Sequence, residues 1–484
     1  MKKMRRVFAL LLTMVMVLGM STSVFAAGNK TDDKKVTVSG VQSGDTVELY
    51  QVLEWVEKDG WTFVAPFDGD GITQAEKNDV LYGQIHSALA EKIAELAATP
   101  KYTNNDETES REITADPGLY LVLVKPKNSG IIYNPAFVAN DYYGDDDSNV
   151  INMSEAGYAD EAIMKKDTIT VEKTVDGKKE TSDYSLGDDI DFSIVTKIPT
   201  YPTNSINATL TITDAPTNLT IDPDTVVVKV GDTTVYNKDT AMASTTGSVR
   251  ASGTELEVDF TKEYILANGG KGVTVTYTAE LTNVSNLTVG GNVISGAAEN
   301  PVTIKYNPNP YVDTTNDVED IDIVKTYGIV FEKIDGETKE ALADAVFDLY
   351  DAAGTKQLTA EDGYFKTVKT VVANRHAYVY WEGLKAGTYT IKETKAPVGY
   401  VKVDDFQLTV GDDTAKADNP ATTQIIENNY NADRTGTDNA VKNTPGKQLP
   451  ATGGIGTTII YAIGAILVIG AGVVLVTRRR MNVQ

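Results

Sequence analysis

The chain of 484 residues contains no cysteine, so disulfides, thiolate metal centres and cysteine nucleophiles are excluded. Histidine is nearly absent. His86 and His376 are the only two, which leaves no multi-histidine metal centre. Positive charge is scarce: 44 Lys and Arg stand against 68 Asp and Glu, a formal net charge of -24. Such a surface repels nucleic acid and anionic lipid. No phosphate-cradling glycine loop is evident, and no cofactor is expected. What the chain does have is 41% apolar and 8% aromatic residues, enough for packed cores. At ~150 residues per domain, its length reads as about three domains.

The two ends read as addresses. Residues 1–26 open with Lys2, Lys3, Arg5 and Arg6, run apolar from Val7 to Met20 and finish in Val24-Phe25-Ala26. This is the pattern of a secretory signal cut after Ala26. At the other end, Thr457–Val476 is apolar enough to cross a bilayer, and Arg478, Arg479 and Arg480 follow as a stop on the cytoplasmic side. Just ahead of the span stands Leu449-Pro450-Ala451-Thr452-Gly453. With its apolar tail and basic stop, this resembles the LPxTG cell-wall sorting signal of Gram-positive surface proteins. The resemblance implies that a sortase cuts between Thr452 and Gly453 and holds the Thr452 carbonyl as a thioester. An amine of peptidoglycan precursor or of another protein then takes the acyl group. The charged residues of the two removed ends are all basic, so the mature chain is more acidic still.

Between the ends, short runs alternate apolar and polar residues and are broken by Gly, Pro, Asn and Asp. Thr168–Val175, Ala208–Asp214, Thr225–Val230, Gly272–Tyr277 and Gly387–Ile391 are examples. These predict a mainly β fold of tandem immunoglobulin-like β-sandwich domains. Leu89, Ile93 and Leu96 instead fall at helical spacing, which predicts a helical insertion in the first domain. Polar stretches set the expected boundaries: a first domain over 27–163, a second over 164–312, a third over 324–430, a linker over 431–448 and the sorting signal over 449–484. The runs Val171–Gly177 and Phe331–Gly336 resemble each other, and both open a domain.

Strand parity picks out chemistry. Residues two apart share a face of a strand, so Lys173 points with Ile169, Val171 and Val175, and Lys333 with Ile329 and Phe331. A lysine forced into a core tends to lose its proton, and a neutral amine in a dry pocket is a nucleophile. The same test places Asp214 with Leu210 and Ile212, and Glu393 with Tyr389 and Ile391. Asn300 falls in phase with Val302, Ile304 and Tyr306. Asn428 falls in phase with Ile426, and Asn429 with Ile425 is the runner-up. A lysine, a protonated acid and an asparagine converging in a core can form an isopeptide bond with loss of ammonia. Fixed proximity supplies effective molarities worth ~7–11 kcal/mol, so no external enzyme is needed. A buried ion pair beside a hydrogen-bonded amide is the plainer alternative.

The segment Tyr389-Thr390-Ile391-Lys392-Glu393-Thr394-Lys395-Ala396-Pro397-Val398-Gly399-Tyr400 resembles the E-box of collagen-binding-protein B-type domains. In that family the E-box glutamate catalyses a lysine–asparagine bond, which implies Lys333, Asn428 and the acid Glu393 for the third domain. The second domain resembles the larger A-type fold, with Lys173, Asn300 and the acid Asp214. Glu280 is the alternative acid, but it lies out of phase with Val273, Val275 and Tyr277. In the first domain Val36–Gly40 puts Gly40 where a lysine would stand, and Val124 replaces the glutamate. No cross-link is expected there, and that domain should be the mechanically softest.

Taken whole, the chain resembles a major (backbone) pilin of sortase-assembled Gram-positive pili. The implied partners are a sortase, identical subunits in a covalent polymer, peptidoglycan, minor tip and base pilins and a host surface ligand, with no nucleic acid. Such a subunit needs an acceptor lysine between its first two domains. Met164-Lys165-Lys166-Asp167 occupies that place; Lys166 is favoured and Lys165 is the runner-up. The family's Tyr-Pro pair is missing there, and Tyr201-Pro202 is followed by Thr203. The competing function is a monomeric wall-anchored adhesin that binds host matrix or glycan. A wall-anchored glycosidase fits poorly, because the buried acids lie in different domains and each faces a lysine. Acidic turns at Asp68-Gly69-Asp70 and Asp145-Asp146-Asp147 lack the spacing of a calcium loop, and no metal site is expected.

Overall fold

A computed structural model describes residues 35–142, 152–283, 286–289, 292–354, 368–369, 371–373, 376–411, 425–427, 440–446 and 455–481. The secretory signal, the sorting pentapeptide, Asp145–Asp147, Asn428 and Asn429 lie outside the described residues.

Three β-rich domains follow one another, as the alternating runs predict. In the first, the strands Thr46–Val56 and Gly118–Lys125 pair antiparallel at the centre of a five-stranded sheet. Seven consecutive residues of the second of these strands, Gly118 to Val124, are buried. That near-continuous apolar run is explained by cover on both faces. One face packs on the three-stranded sheet that holds Val36, Val38 and Ile113. The other packs on the helix Ser87–Leu96, through Leu89 and Ile93. The predicted helical insertion is therefore present. A second helix, Gln74–Leu81, precedes it and rests on a capping box between Thr73 and Glu76. Its weak amphipathic pattern hid it in the sequence.

The second domain is a sandwich of two sheets. One runs in the order Glu172–Val175, Asp189–Lys197, Gly272–Leu281, Val227–Val230 and Thr233–Tyr236. The facing sheet runs Glu180–Thr181, Asn316–Lys325, Asn292–Tyr306, Leu210–Asp214, Leu256–Phe260 and Gly247–Ala251. The strand Asn316–Lys325 belongs to this domain, pairing with Ala297–Tyr306 over its whole length. Much of it falls in the polar stretch expected to separate domains. Aspartates and glutamate on its outer positions disguise a strand whose last buried residues are Asp322 and Val324.

The third domain has the order Val371–Ala373, His376–Leu384, Tyr327–Asp335 and Ile425–Glu427 in one sheet. The other runs Val368–Lys369, Val346–Tyr350, Gly387–Lys395 and Phe406–Val410. A further short strand, Val441–Asn443, pairs parallel with Tyr327–Asp335. The segment expected to be linker therefore contributes to the fold.

The domains are seated on one another. Tyr311, from a loop of the second, is buried in the helical side of the first. The Gly130 N–H of the first donates to the Tyr306 hydroxyl of the second at 2.6 Å. Between the second and third, the Leu186 N–H donates to the Gly383 carbonyl at 2.8 Å. A separate helix, Ile455–Met481, contains an apolar span over Ile459–Arg479 with mean hydropathy 2.8.

Candidate functional site

Strand parity places Lys173, Asp214 and Asn300 in the core of the second domain, and each is fully buried. Lys173 comes from one sheet; Asp214 and Asn300 come from neighbouring strands of the other. The Lys173 Nζ lies 2.6 Å from Asp214 Oδ2. Burial pulls the Lys173 ammonium down to about 8, although Asp214 pulls it the other way. Burial also pushes the Asp214 carboxyl up. Both shifts favour the neutral pair, in which the proton sits on the acid. Asp214 Oδ1 and Asn300 Oδ1 are buried without a hydrogen-bond partner. A protonated Asp214 would supply a donor that this pocket lacks. Glu280 lies on the outward face and is only half-buried, as its phase predicts.

Two further side chains complete this cluster, and the parity argument did not single them out as chemistry. Tyr277, across the sandwich, donates to Asp214 Oδ2 at 2.6 Å and accepts from Asn300 Nδ2 at 2.7 Å. Asp322 is opposite Asn300 in the strand register and shares its inward face. Its carboxyl is fully buried with neither oxygen hydrogen-bonded, and burial pushes it up to about 7. Tyr277 was readable as a core tyrosine in phase with Val273 and Val275. Asp322 was hidden inside an acidic stretch taken as a domain boundary.

In the third domain Lys333 is fully buried, and Glu393 is 5% exposed. Burial pulls the Lys333 ammonium down to about 8, against the opposing pull of Glu393. The amide brought to them is Asn443, fully buried on the strand next to Lys333. Asn443 Nδ2 donates to Glu393 Oε2 at 2.8 Å and to the Val401 carbonyl at 2.6 Å. Glu393 Oε2 also accepts from the Val403 N–H at 2.8 Å. The Lys333 Nζ donates to the Val441 carbonyl at 2.9 Å. Glu393 Oε1 and Asn443 Oδ1 are left without partners.

The expected amide, Asn428, lies outside the described residues; the described amide that contacts Glu393 is Asn443. Register gives the reason: Val441 pairs with Lys333, so Asn443, two residues on, shares its inward face. The sequence signal was slight, a three-residue strand among Asn, Thr, Gly and Pro.

The first domain departs from the other two. Gly40 has φ +78, and a Cβ there would meet the Met164 carbonyl oxygen at 2.9 Å. The contact with that backbone oxygen, more than the positive φ, works against any side chain there. Val124 is a buried apolar residue where the third domain has Glu393. Polar bracing takes a different form. Arg111, 1% exposed, donates to the carbonyls of Thr108, Asn104, Gln42 and Asp45. Asp45 accepts from the Gln42 and Lys127 N–H groups, each at 2.9 Å, and from the Tyr133 hydroxyl at 2.6 Å.

Lys165 and Lys166 are both exposed where the first two domains meet. The strand Lys166–Thr168 pairs antiparallel with Ile131–Tyr133 of the first domain. The Lys166 Nζ stands 5.9 Å from the centre of the Tyr133 ring. The Lys165 carbonyl accepts from the Asn134 N–H at 2.9 Å, which holds the backbone of the pair.

Comparison with known proteins agrees with this architecture. Residues 328–424 match the prealbumin-like fold domain family, and residues 441–483 match the LPXTG cell wall anchor motif. The chain is therefore a wall-anchored surface protein with a prealbumin-like domain and the fold of the major pilins. It is 25% identical to the trypsin-resistant surface T6 protein of Streptococcus pyogenes serotype M6, over 97% of this chain and 99% of that protein. The solved T6 backbone pilin of serotype M6 S. pyogenes superposes with a TM-score of 0.59 at 21% identity. That match covers 78% of this chain and 79% of the other. The full-length major pilin SpaD of Corynebacterium diphtheriae gives 0.54 at 18% identity, covering 87% of this chain and all of SpaD.

Proposed function

We propose that the chain is the major structural subunit of a cell-wall-anchored pilus, stiffened by two self-formed lysine–asparagine bonds. The observation that carries the reading is the pair of clusters in which a lysine, an acid and an amide are all buried in one core. Lys173 with Asn300, assisted by Asp214, is one bond. Lys333 with Asn443, assisted by Glu393, is the other, with Asn443 taking the part first expected of Asn428. In each, the neutral amine attacks the amide carbon and ammonia departs. The role is structural, with no external substrate turned over.

Polymerisation follows from the two ends of the mature chain. A sortase breaks the Thr452–Gly453 bond of Leu449–Gly453, keeps Thr452 as a thioester and releases the tail. A lysine amine of the next subunit displaces the sortase thiolate and takes the acyl group as an amide. Lys166 is the favoured acceptor because it is exposed on a strand tied to both domains; Lys165 is the runner-up. The growing fibre supports adhesion and ends on peptidoglycan, with minor pilins at tip and base.

Detergent-boiled wall extracts test the polymer directly. Wild type is expected to give a high-mass ladder, and Lys166→Ala a single subunit band. A ladder that survives Lys166→Ala but fails in Lys165→Ala moves the acceptor by one residue. A single band from wild type replaces the polymer with a monomeric adhesin.

A further inference from the structure

We propose that Tyr277 is a catalytic residue of the second-domain bond, its hydroxyl relaying a proton from Asp214 to the departing nitrogen of Asn300. The inference rests on the reading that Lys173 and Asn300 join. Its ground is an unbroken chain of three short contacts from nucleophile to leaving group. Lys173 Nζ to Asp214 Oδ2 is 2.6 Å, Asp214 Oδ2 to the Tyr277 hydroxyl is 2.6 Å, and that hydroxyl to Asn300 Nδ2 is 2.7 Å.

The chemistry needs such a path. Asp214 first takes a proton from the Lys173 ammonium. The neutral Nζ then attacks Asn300 Cγ, and the carbonyl electron pair moves onto Oδ1. In this adduct Nζ carries one proton too many and Nδ2 one too few to leave. Both nitrogens sit on one carbon, so direct exchange would require a strained four-membered ring. Before reaction the Tyr277 hydroxyl donates to Asp214 and accepts from Nδ2. Through the relay, it turns toward the now basic Nδ2 and gives it a proton while Asp214 gives its own to the Tyr277 oxygen. Asp214 then recovers a proton from Nζ. Collapse of the adduct restores the carbonyl and expels neutral ammonia. An amide and a protonated Asp214 remain, so charge and hydrogens balance and the core ends uncharged.

The third domain needs no such hydroxyl. Its acid touches the leaving nitrogen directly, with Glu393 Oε2 2.8 Å from Asn443 Nδ2. The relay is thus a local answer to where the acid sits, beside the amine in one domain and beside the amide in the other.

Intact-mass time courses on the folded 27–452 chain test the relay. Tyr277→Phe keeps the ring and removes the hydroxyl. It is expected to leave the second-domain bond open at purification, about 17 Da above the variant's own mass with both bonds closed, and to close it at least about tenfold more slowly. The third-domain bond should form in full. Fluorinated tyrosine at 277 keeps the shape and alters the acidity of the hydroxyl, so the closure rate should change with it. Wild-type closure in Tyr277→Phe, or a rate indifferent to fluorination, overturns the relay. A wild-type chain at full mass overturns the underlying bond instead, so the two failures are distinguishable.

Discussion

The first domain and the two that follow use opposite means to hold a β fold together. In the second and third domains a lysine is driven into the core beside an acid and an amide, each of which keeps one oxygen without a hydrogen-bond partner. In the first, Arg111 and Asp45 are buried to the same degree but spend most of their hydrogen bonds on backbone groups. Five guanidinium donors suit carbonyls, and a cation that cannot lose its proton is no nucleophile. Burial alone, then, does not make a reactive site. Among the described residues of the first domain no lysine is buried; Lys101 reaches the Gln51 amide oxygen at 2.7 Å but stays partly exposed, so its ammonium is not stripped of water.

The two reactive domains also differ in what they join. Lys173 and Asn300 lie on opposite sheets, so the proposed bond would pin the sandwich across its core. Lys333 and Asn443 lie on adjacent parallel strands, the first and last described strands of their domain, so the proposed bond would close the domain at the point where a pull on the chain would peel it.

The largest effect should come from removing Asp214. Asp214→Ala leaves a buried ammonium unpaired, costing about 3–5 kcal/mol. It also forfeits the closure of a long loop, worth about 4–5 kcal/mol by chain entropy if the bond acts as a disulfide does. Calorimetry should show the second-domain transition displaced downward well beyond that of any other single variant. An unchanged transition would show that the two reactive domains are held no differently from the first.

Against its own sequence mass, Asn443→Ala should be one ammonia light instead of two and should lower the third-domain transition, while Asn428→Ala should stay two ammonias light with its transition unchanged. The reverse result would return the cross-link to the earlier asparagine. Arg111→Met should destabilise the first domain alone, by about 2–4 kcal/mol, because it strands several buried carbonyls. A loss spread over all three domains would blur the distinction drawn above.

The smallest effect belongs to Asp322. Its folded-state carboxyl is pushed up to about 7, far above its unfolded value, so the folded form binds more protons across that interval. Stability contributed by this group is therefore present at low pH and lost as pH rises from about 4 to about 7. Asp322→Asn should melt close to wild type near pH 4 and gain about 1–2 kcal/mol over it at pH 8. A gain that is equal at both pH values would mean that titration of Asp322 is not the cause.

How much could be read beforehand depended on strand length. Lys173, Asp214, Asn300, Lys333 and Glu393 each close or interrupt an alternating run long enough for parity to assign a face, and each proves buried. The helix through Leu89 and Ile93 was legible for the same reason. Asn443 was not, because Val441–Asn443 takes its place from its partner strand and only three residues carry the pattern. Asn316–Lys325 was missed because its outer positions are acidic, and its inner Asp322 interrupts the apolar phase just where it turns inward. Tyr277 was visible as core, yet its bonds to Asp214 and Asn300 depend on how the two sheets face each other.

The most direct test is the intact mass of the folded 27–452 chain, followed by peptide mapping. The account predicts a chain two ammonias light, about 34 Da, with Lys173 joined to Asn300 and Lys333 joined to Asn443. A chain at its full sequence mass, with both lysines recovered in unbranched peptides, would contradict it.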